Sequence, residues 1–208
     1  MQLSIPETGF GFDIGSRRSD DLDRRLLELV AAAEEPTVLD IGCGAAQAAL
    51  RLAAAGAIVT ALDQYDFSEH IPESARSVCR FVLGDVRQCA DITPGEFDFV
   101  VAQRVLHYLP YSDAQAVLGY LQNVTRYSAA FSFSGATSAI ADYHPAIGRP
   151  LDKRFHTLRT KGAKLFGISE PICLYSATEV RDLLGSTGWQ IEELWQSAFG
   201  NIKVIARP

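Results

Sequence analysis

Apolar positions along the chain follow two periods. Leu22, Leu26, Leu27, Val30 and Ala33 fall on one stripe at helical spacing. Ser19 is placed to cap that helix, with Asp20 and Asp21 in the favourable first turn, and Pro36 closes it. Short, nearly continuous apolar runs then follow at about 37–41, 58–62, 79–83, 97–102 and 129–134, each read as a buried strand. Helical stretches such as Ala45 to Ala55 separate them, the rhythm of a mainly parallel sheet covered by helices. Residues 135–175 break the rhythm with Gly135, Pro145, Gly148, Pro150, Gly162 and Gly167, and are expected to form one cap-like insertion. Ser176-Ala177-Thr178-Glu179 opens a helix ending near Gly188-Trp189. Gln190 to Trp195 and Ile202 to Ala206, around a Gly200-Asn201 turn signal, read as a hairpin. Residues 1–35 supply an arm, with Phe10 and Phe12 between glycines as a candidate lid, and the first helix. The expectation is a single domain over residues 1–208.

One stretch points to chemistry. Val38-Leu39-Asp40-Ile41-Gly42-Cys43-Gly44 passes from strand through two glycines into a helix, and Ala61-Leu62-Asp63 places an acid 19 residues past Gly44. Glycines let a ligand approach the backbone, and a carboxylate at the end of the next strand suits ribose hydroxyls. The pattern predicts an adenosine-containing cofactor. A dinucleotide site wants G-x-G-x-x-G, but Gln47 stands where its third glycine or alanine belongs. Asp40 would also repel a pyrophosphate while suiting a cationic amino group. Those two residues favour S-adenosylmethionine.

The segment resembles motif I of the class I S-adenosylmethionine-dependent methyltransferases, with Ala46 in the small third position. Arg80-Phe81-Val82-Leu83-Gly84-Asp85-Val86 is similar to that family's third strand and the acid after it. Phe97-Asp98-Phe99-Val100-Val101-Ala102-Gln103 is similar to its fourth strand, and Val105-Leu106-His107-Tyr108-Leu109-Pro110 to the turn that follows. The resemblance implies an α/β, doubly wound, mostly parallel seven-stranded sheet with helices on both faces and a C-terminal antiparallel hairpin. It implies a cofactor site of Asp40, Gly42, Gly44, Asp63, Gln64, Asp85, Val86 and Gln103, with Arg17 a further candidate for the methionine carboxylate. His107 is the candidate base or substrate contact. Tyr143 and His144 are candidates for the acceptor pocket. The expected reaction is methyl transfer to oxygen or nitrogen of a small molecule. No N-P-P-Y-type sequence follows the fourth strand, where Ala102-Gln103-Arg104-Val105 stands instead. That counts against an amino-methylating enzyme of DNA bases or protein glutamine.

Composition bounds this reading. The chain has 208 residues, 48% of them hydrophobic, enough for a sizeable core. No apolar run approaches the ~20 residues of a membrane span. Glu7 and Asp13 lie where a signal peptide would be basic and apolar, so a cytoplasmic location is expected. Cys43, Cys79, Cys89 and Cys173 show no C-x-x-C spacing, and neither a disulfide nor a metal site is implied. The net charge of −6 argues against a general nucleic-acid surface. Against that average, Arg149, Lys153, Arg154, Arg159, Lys161 and Lys164 face only Asp152 over 149–164, which suggests an anionic acceptor. Two other readings stay open. One is an RNA or protein methyltransferase docking through 149–164, and the other a cofactor-binding module without catalysis.

Overall fold

A computed structural model describes residues 20–208. The arm with Phe10, Phe12 and Arg17, and the proposed cap Ser19, lie outside the described residues. Helix α1 (Asp21–Ala31) is capped one position later than expected, by Asp20, whose carboxylate accepts from Asp23 N–H while Asp23 returns the bond to the Asp20 N–H. This reciprocal box satisfies two N–H groups that the first turn leaves without partners.

Among the described residues seven strands form one sheet, in the order β3-β2-β1-β4-β5-β7-β6. They are β1 (Thr37–Ile41), β2 (Ile58–Asp63), β3 (Cys79–Leu83), β4 (Phe97–Gln103), β5 (Thr125–Phe133), β6 (Gln190–Gln196) and β7 (Ile202–Arg207). The first five are parallel, and β7 inserts antiparallel between β5 and β6. Alternate residues of each central strand feed opposite faces. Leu39, Ile41, Val100, Ala102 and Phe131 pack with α4 (Tyr111–Val124) and α6 (Ala177–Ser186) on one side. Val38, Val59, Ala61, Val101 and Ile205 meet α1 and α2 (Gln47–Ala54) on the other. Helices therefore cover both faces. Buried Lys203 of β7 donates to Asp20 at 2.8 Å and pairs with Asp21, so the hairpin grips the start of α1.

Two local expectations are corrected. The helical stretch expected between β2 and β3 is two short 3-10 turns, Ser68–His70 and Glu73–Ala75, because Pro72 interrupts the segment. Strand β5 begins at Thr125 rather than 129; its exposed Arg126 and Tyr127 hide the start from an apolar reading. Between β3 and β4 lie a 3-10 turn, Val86–Gln88, and the four-residue α3 (Cys89–Ile92).

Between β5 and α6 the chain folds over the sheet's edge and carries α5 (Thr160–Phe166). This segment has its own small core of Leu158, Ile172 and Leu174. Its two ends meet, with Ala136 N–H bonded to the Tyr175 carbonyl at 2.7 Å and Tyr175 N–H to the Ser134 carbonyl at 3.0 Å. Among the described residues no helix is long and apolar enough to cross a membrane.

Candidate active site

The carboxyl ends of β1, β2, β3 and β4 share one edge of the sheet, and the turn after β1 shapes it. Gly42 and Gly44 adopt φ of +67° and +52°, which disfavours any side chain. A Cβ on Gly42 would lie 2.5 Å from Val105 Cγ2. The Gly42 and Cys43 N–H groups both donate to the Leu62 carbonyl, at 2.7 and 3.0 Å. Asp63 ties the turn from the next strand, accepting from Gly44 N–H at 2.9 Å and Tyr65 N–H at 3.0 Å. Burial raises the Asp63 pKa above the usual carboxylate value, opposed by the N–H groups of Tyr65, Gly44 and Gln64.

These residues open onto a cavity of about 540 Å³. One part of its wall is Gly42, Gly44, Asp63, Gln64, Asp85 and Val86, so six of the eight described residues expected at the cofactor come together there. The Arg87 guanidinium grips Asp85, with Nε 3.0 Å from each carboxylate oxygen, and holds its pKa below the usual range against desolvation. The rest of the wall includes Tyr65, Arg104, Tyr108, Phe155, Glu170 and Pro171.

Asp40 and Gln103 are not on that wall. Gln103 ends β4, and the next residue, Arg104, takes the position instead. Asp40 lies behind the glycine turn, 2% exposed, and its Oδ2 has no hydrogen-bond partner among the described residues. Burial, then the charges of Asp23 and Asp63, push its pKa up to about 8, with Arg51 opposing. Arg51 itself pairs with Asp23 at 2.7 Å. The folded state therefore keeps a proton on Asp40 that the unfolded chain, near the ordinary 3.8, releases. Stability from this group falls as pH rises through that window and levels off above about 8. Asp40→Asn removes the dependence, so its stability advantage over the unsubstituted protein is expected to widen from about pH 5 to about pH 8 in urea unfolding. Parallel stability profiles would overturn the assignment.

His107, the candidate base, is 3% exposed and does not reach the cavity wall. Burial, then the charge of Arg104, hold its pKa down to about 3, and Nδ1 has no partner among the described residues. A neutral, enclosed imidazole of this kind is placed for packing. Its ring lies 4.4 Å from that of Tyr108, which does reach the cavity. Tyr143 and His144 are also placed elsewhere. Tyr143 packs on Phe166 and beneath Gly162, whose absent Cβ makes room for it. His144 is buried between the Ile172 carbonyl, 2.9 Å from Nε2, and the Ala146 N–H, 3.3 Å from Nδ1. The insertion reaches the cavity through Phe155, Glu170 and Pro171 instead.

The comparisons bear on the fold. A family model described as a methyltransferase domain matches residues 38–127, from β1 into β5. That match covers less than half of the chain. Among curated proteins, none matches the sequence. The fold is similar to magnesium protoporphyrin IX methyltransferase from Synechocystis PCC 6803 with bound SAH, at a TM-score of 0.65 and 19% identity, covering 99% of this chain and 90% of that one. It is similar to 1,6-didemethyltoxoflavin-N1-methyltransferase from Burkholderia thailandensis, with a TM-score of 0.66, 15% identity and 95% and 83% coverage. The CcbJ methyltransferase from Streptomyces caelestis gives 0.67, 15%, and 98% and 99%.

In this chain the basic stretch 149–164 is not one surface. Arg154 is 7% exposed and donates to Glu179 from both nitrogens of its fork, Nη1 and Nη2, at 2.8 Å each. It also donates to the carbonyls of Arg149 and Leu174. The other five bases are exposed, and none lines the cavity. Sequence reasoning missed Arg104, Glu170 and Phe155. The rule that placed Asp63 and Asp85, a residue just past a parallel strand's carboxyl end, also finds Arg104. Glu170 and Phe155 sit in irregular chain with no periodic signal.

Proposed function

We propose that this protein transfers a methyl group from S-adenosylmethionine to oxygen or nitrogen of a small-molecule acceptor. The observation that carries the reading is the shared cavity: strand-end motif residues form one part of its wall, and residues of the β5–α6 segment close another. On this reading the ribose hydroxyls meet Asp63, the adenine lies by Gln64, Asp85 and Val86, and the methionine portion passes the bare backbone of Gly42 and Gly44. The cofactor supplies a methyl carbon already activated by the sulfonium. The chain's task is then to hold the acceptor atom in line and keep water out. Phe155, Pro171 and Leu109 furnish apolar wall for that, while Tyr65, Tyr108 and Glu170 furnish polar contacts. Burial raises Tyr108 to about 12, so its hydroxyl stays a donor near neutral pH. Two of the similar structures are named for small-molecule acceptors, magnesium protoporphyrin IX and 1,6-didemethyltoxoflavin.

The test is a calorimetric titration with S-adenosylhomocysteine, with NADH in parallel. Binding of the first in the micromolar range and silence from the second are expected. NADH binding with no response to S-adenosylhomocysteine would overturn the cofactor assignment.

A further inference from the structure

Arg104 is the first residue after β4, and its backbone is held in an unusual state. Its φ is +56°, in the left-handed region that L side chains rarely adopt. Ser132 of the neighbouring strand fixes it there, since Arg104 N–H bonds the Ser132 hydroxyl at 2.9 Å and the Ser132 carbonyl at 3.3 Å. The side chain that results lines the cavity. Its guanidinium makes no hydrogen bond or ion pair among the described residues, and its Nε is buried without a partner. Other arginines of the chain are matched to carboxylates: Arg51 to Asp23, Arg87 to Asp85 and Arg154 to Glu179.

The cavity's own acids do not meet Arg104. Asp63 accepts from Gly44 and Tyr65, Asp85 is held by Arg87, and Glu170 makes no ion pair with it. A buried N–H without an acceptor is unfavourable, and a planar fork of donors matches a carboxylate with two parallel bonds. We infer that Arg104 receives a carboxylate inside this cavity. The inference rests on the methyltransferase reading above, and the carboxylate has two possible sources there: the amino-acid end of the cofactor or the acceptor.

Two matched pairs of probes separate the sources. S-adenosylhomocysteine carries the amino-acid end and 5′-methylthioadenosine lacks it. Benzoate and benzamide, added to protein saturated with S-adenosylhomocysteine, differ only in the anion. The variant is Arg104→Asn, because asparagine tolerates the left-handed backbone; Arg104→Lys, which keeps charge without the fork, is expected to fall between. Unchanged thermal unfolding midpoints establish that both variants fold. If the methionine end is bound, Arg104→Asn weakens S-adenosylhomocysteine by about tenfold or more and leaves 5′-methylthioadenosine unchanged. If the acceptor's carboxylate is bound, both nucleosides bind as before and the preference for benzoate over benzamide is lost. Wild-type-like behaviour of Arg104→Asn in both pairs overturns the inference while leaving the methyltransferase reading intact. Failure of the unsubstituted protein to bind either nucleoside overturns the reading itself.

Discussion

Replacing Asp63 with alanine is expected to weaken S-adenosylhomocysteine binding by about 1–3 kcal/mol, roughly 5- to 150-fold. Each carboxylate oxygen already accepts one N–H, from Gly44 or Tyr65, and each retains a further lone pair for a ribose hydroxyl. Alanine removes both functions: the hydroxyls lose their acceptor, and the glycine turn loses the strap that fixes Gly44 beside the cavity. Asp63→Asn keeps the size and one carbonyl acceptor, so a smaller loss is expected. Titration calorimetry measures both, with circular dichroism to confirm the fold. Unchanged affinity in a folded Asp63→Ala protein would remove Asp63 from the ribose site.

The largest effect on stability is expected at Arg154. Arg154→Met leaves the Glu179 carboxylate and the carbonyls of Arg149 and Leu174 without their donor in a mostly enclosed site. Breaking a buried pair by removing one partner costs about 3–5 kcal/mol. Replacing both partners with apolar residues of similar size is expected to recover much of that, since no charge is then stranded. Chemical denaturation of the single and double variants checks both statements, and a loss below about 1 kcal/mol in the single variant would refute the first. The pH dependence has a definite sign. The hydrogen bonds from Arg154 and from Ser176 outweigh desolvation and lower the Glu179 pKa from its ordinary 4.5. Its contribution is therefore complete above that value and is lost as pH falls through the lower, folded-state one.

The sheet was legible because parallel strands, buried on both faces, are written as apolar runs that loops do not imitate. The glycine turn and the acids after it were legible for a related reason: ligand contacts in such sheets come from fixed places at strand ends. Reading failed where neither rule operates. The link from β2 to β3 lacks a helix because Pro72 interrupts it, and no strand pattern depends on what fills that link. His107 sits at a strand-end turn, yet its neighbour Tyr108 faces the cavity, and a one-residue difference in a 3-10 turn reverses which side chain points inward. Tyr143 and His144 drew attention as chemistry-bearing residues in an insertion. They serve that segment's own small core, which only its three-dimensional packing reveals.

The segment between β5 and α6 has one more consequence. Its entry and exit are bonded to each other at the base, through Ser134, Ala136 and Tyr175, so the sheet below is closed whatever lies above. A loop whose ends are already joined gains or loses residues at small entropic cost, about 0.6 kcal/mol for each doubling of length. Asp63 and Asp85, on another part of the cavity wall, come from an earlier stretch of the chain and are untouched by such changes. Natural variation can thus recast this cassette, and with it Phe155, Glu170 and Pro171, while the cavity wall formed by Asp63 and Asp85 is inherited intact. On the proposed function, new acceptors would become reachable by insertion and deletion at one locus, without redesign of the sheet.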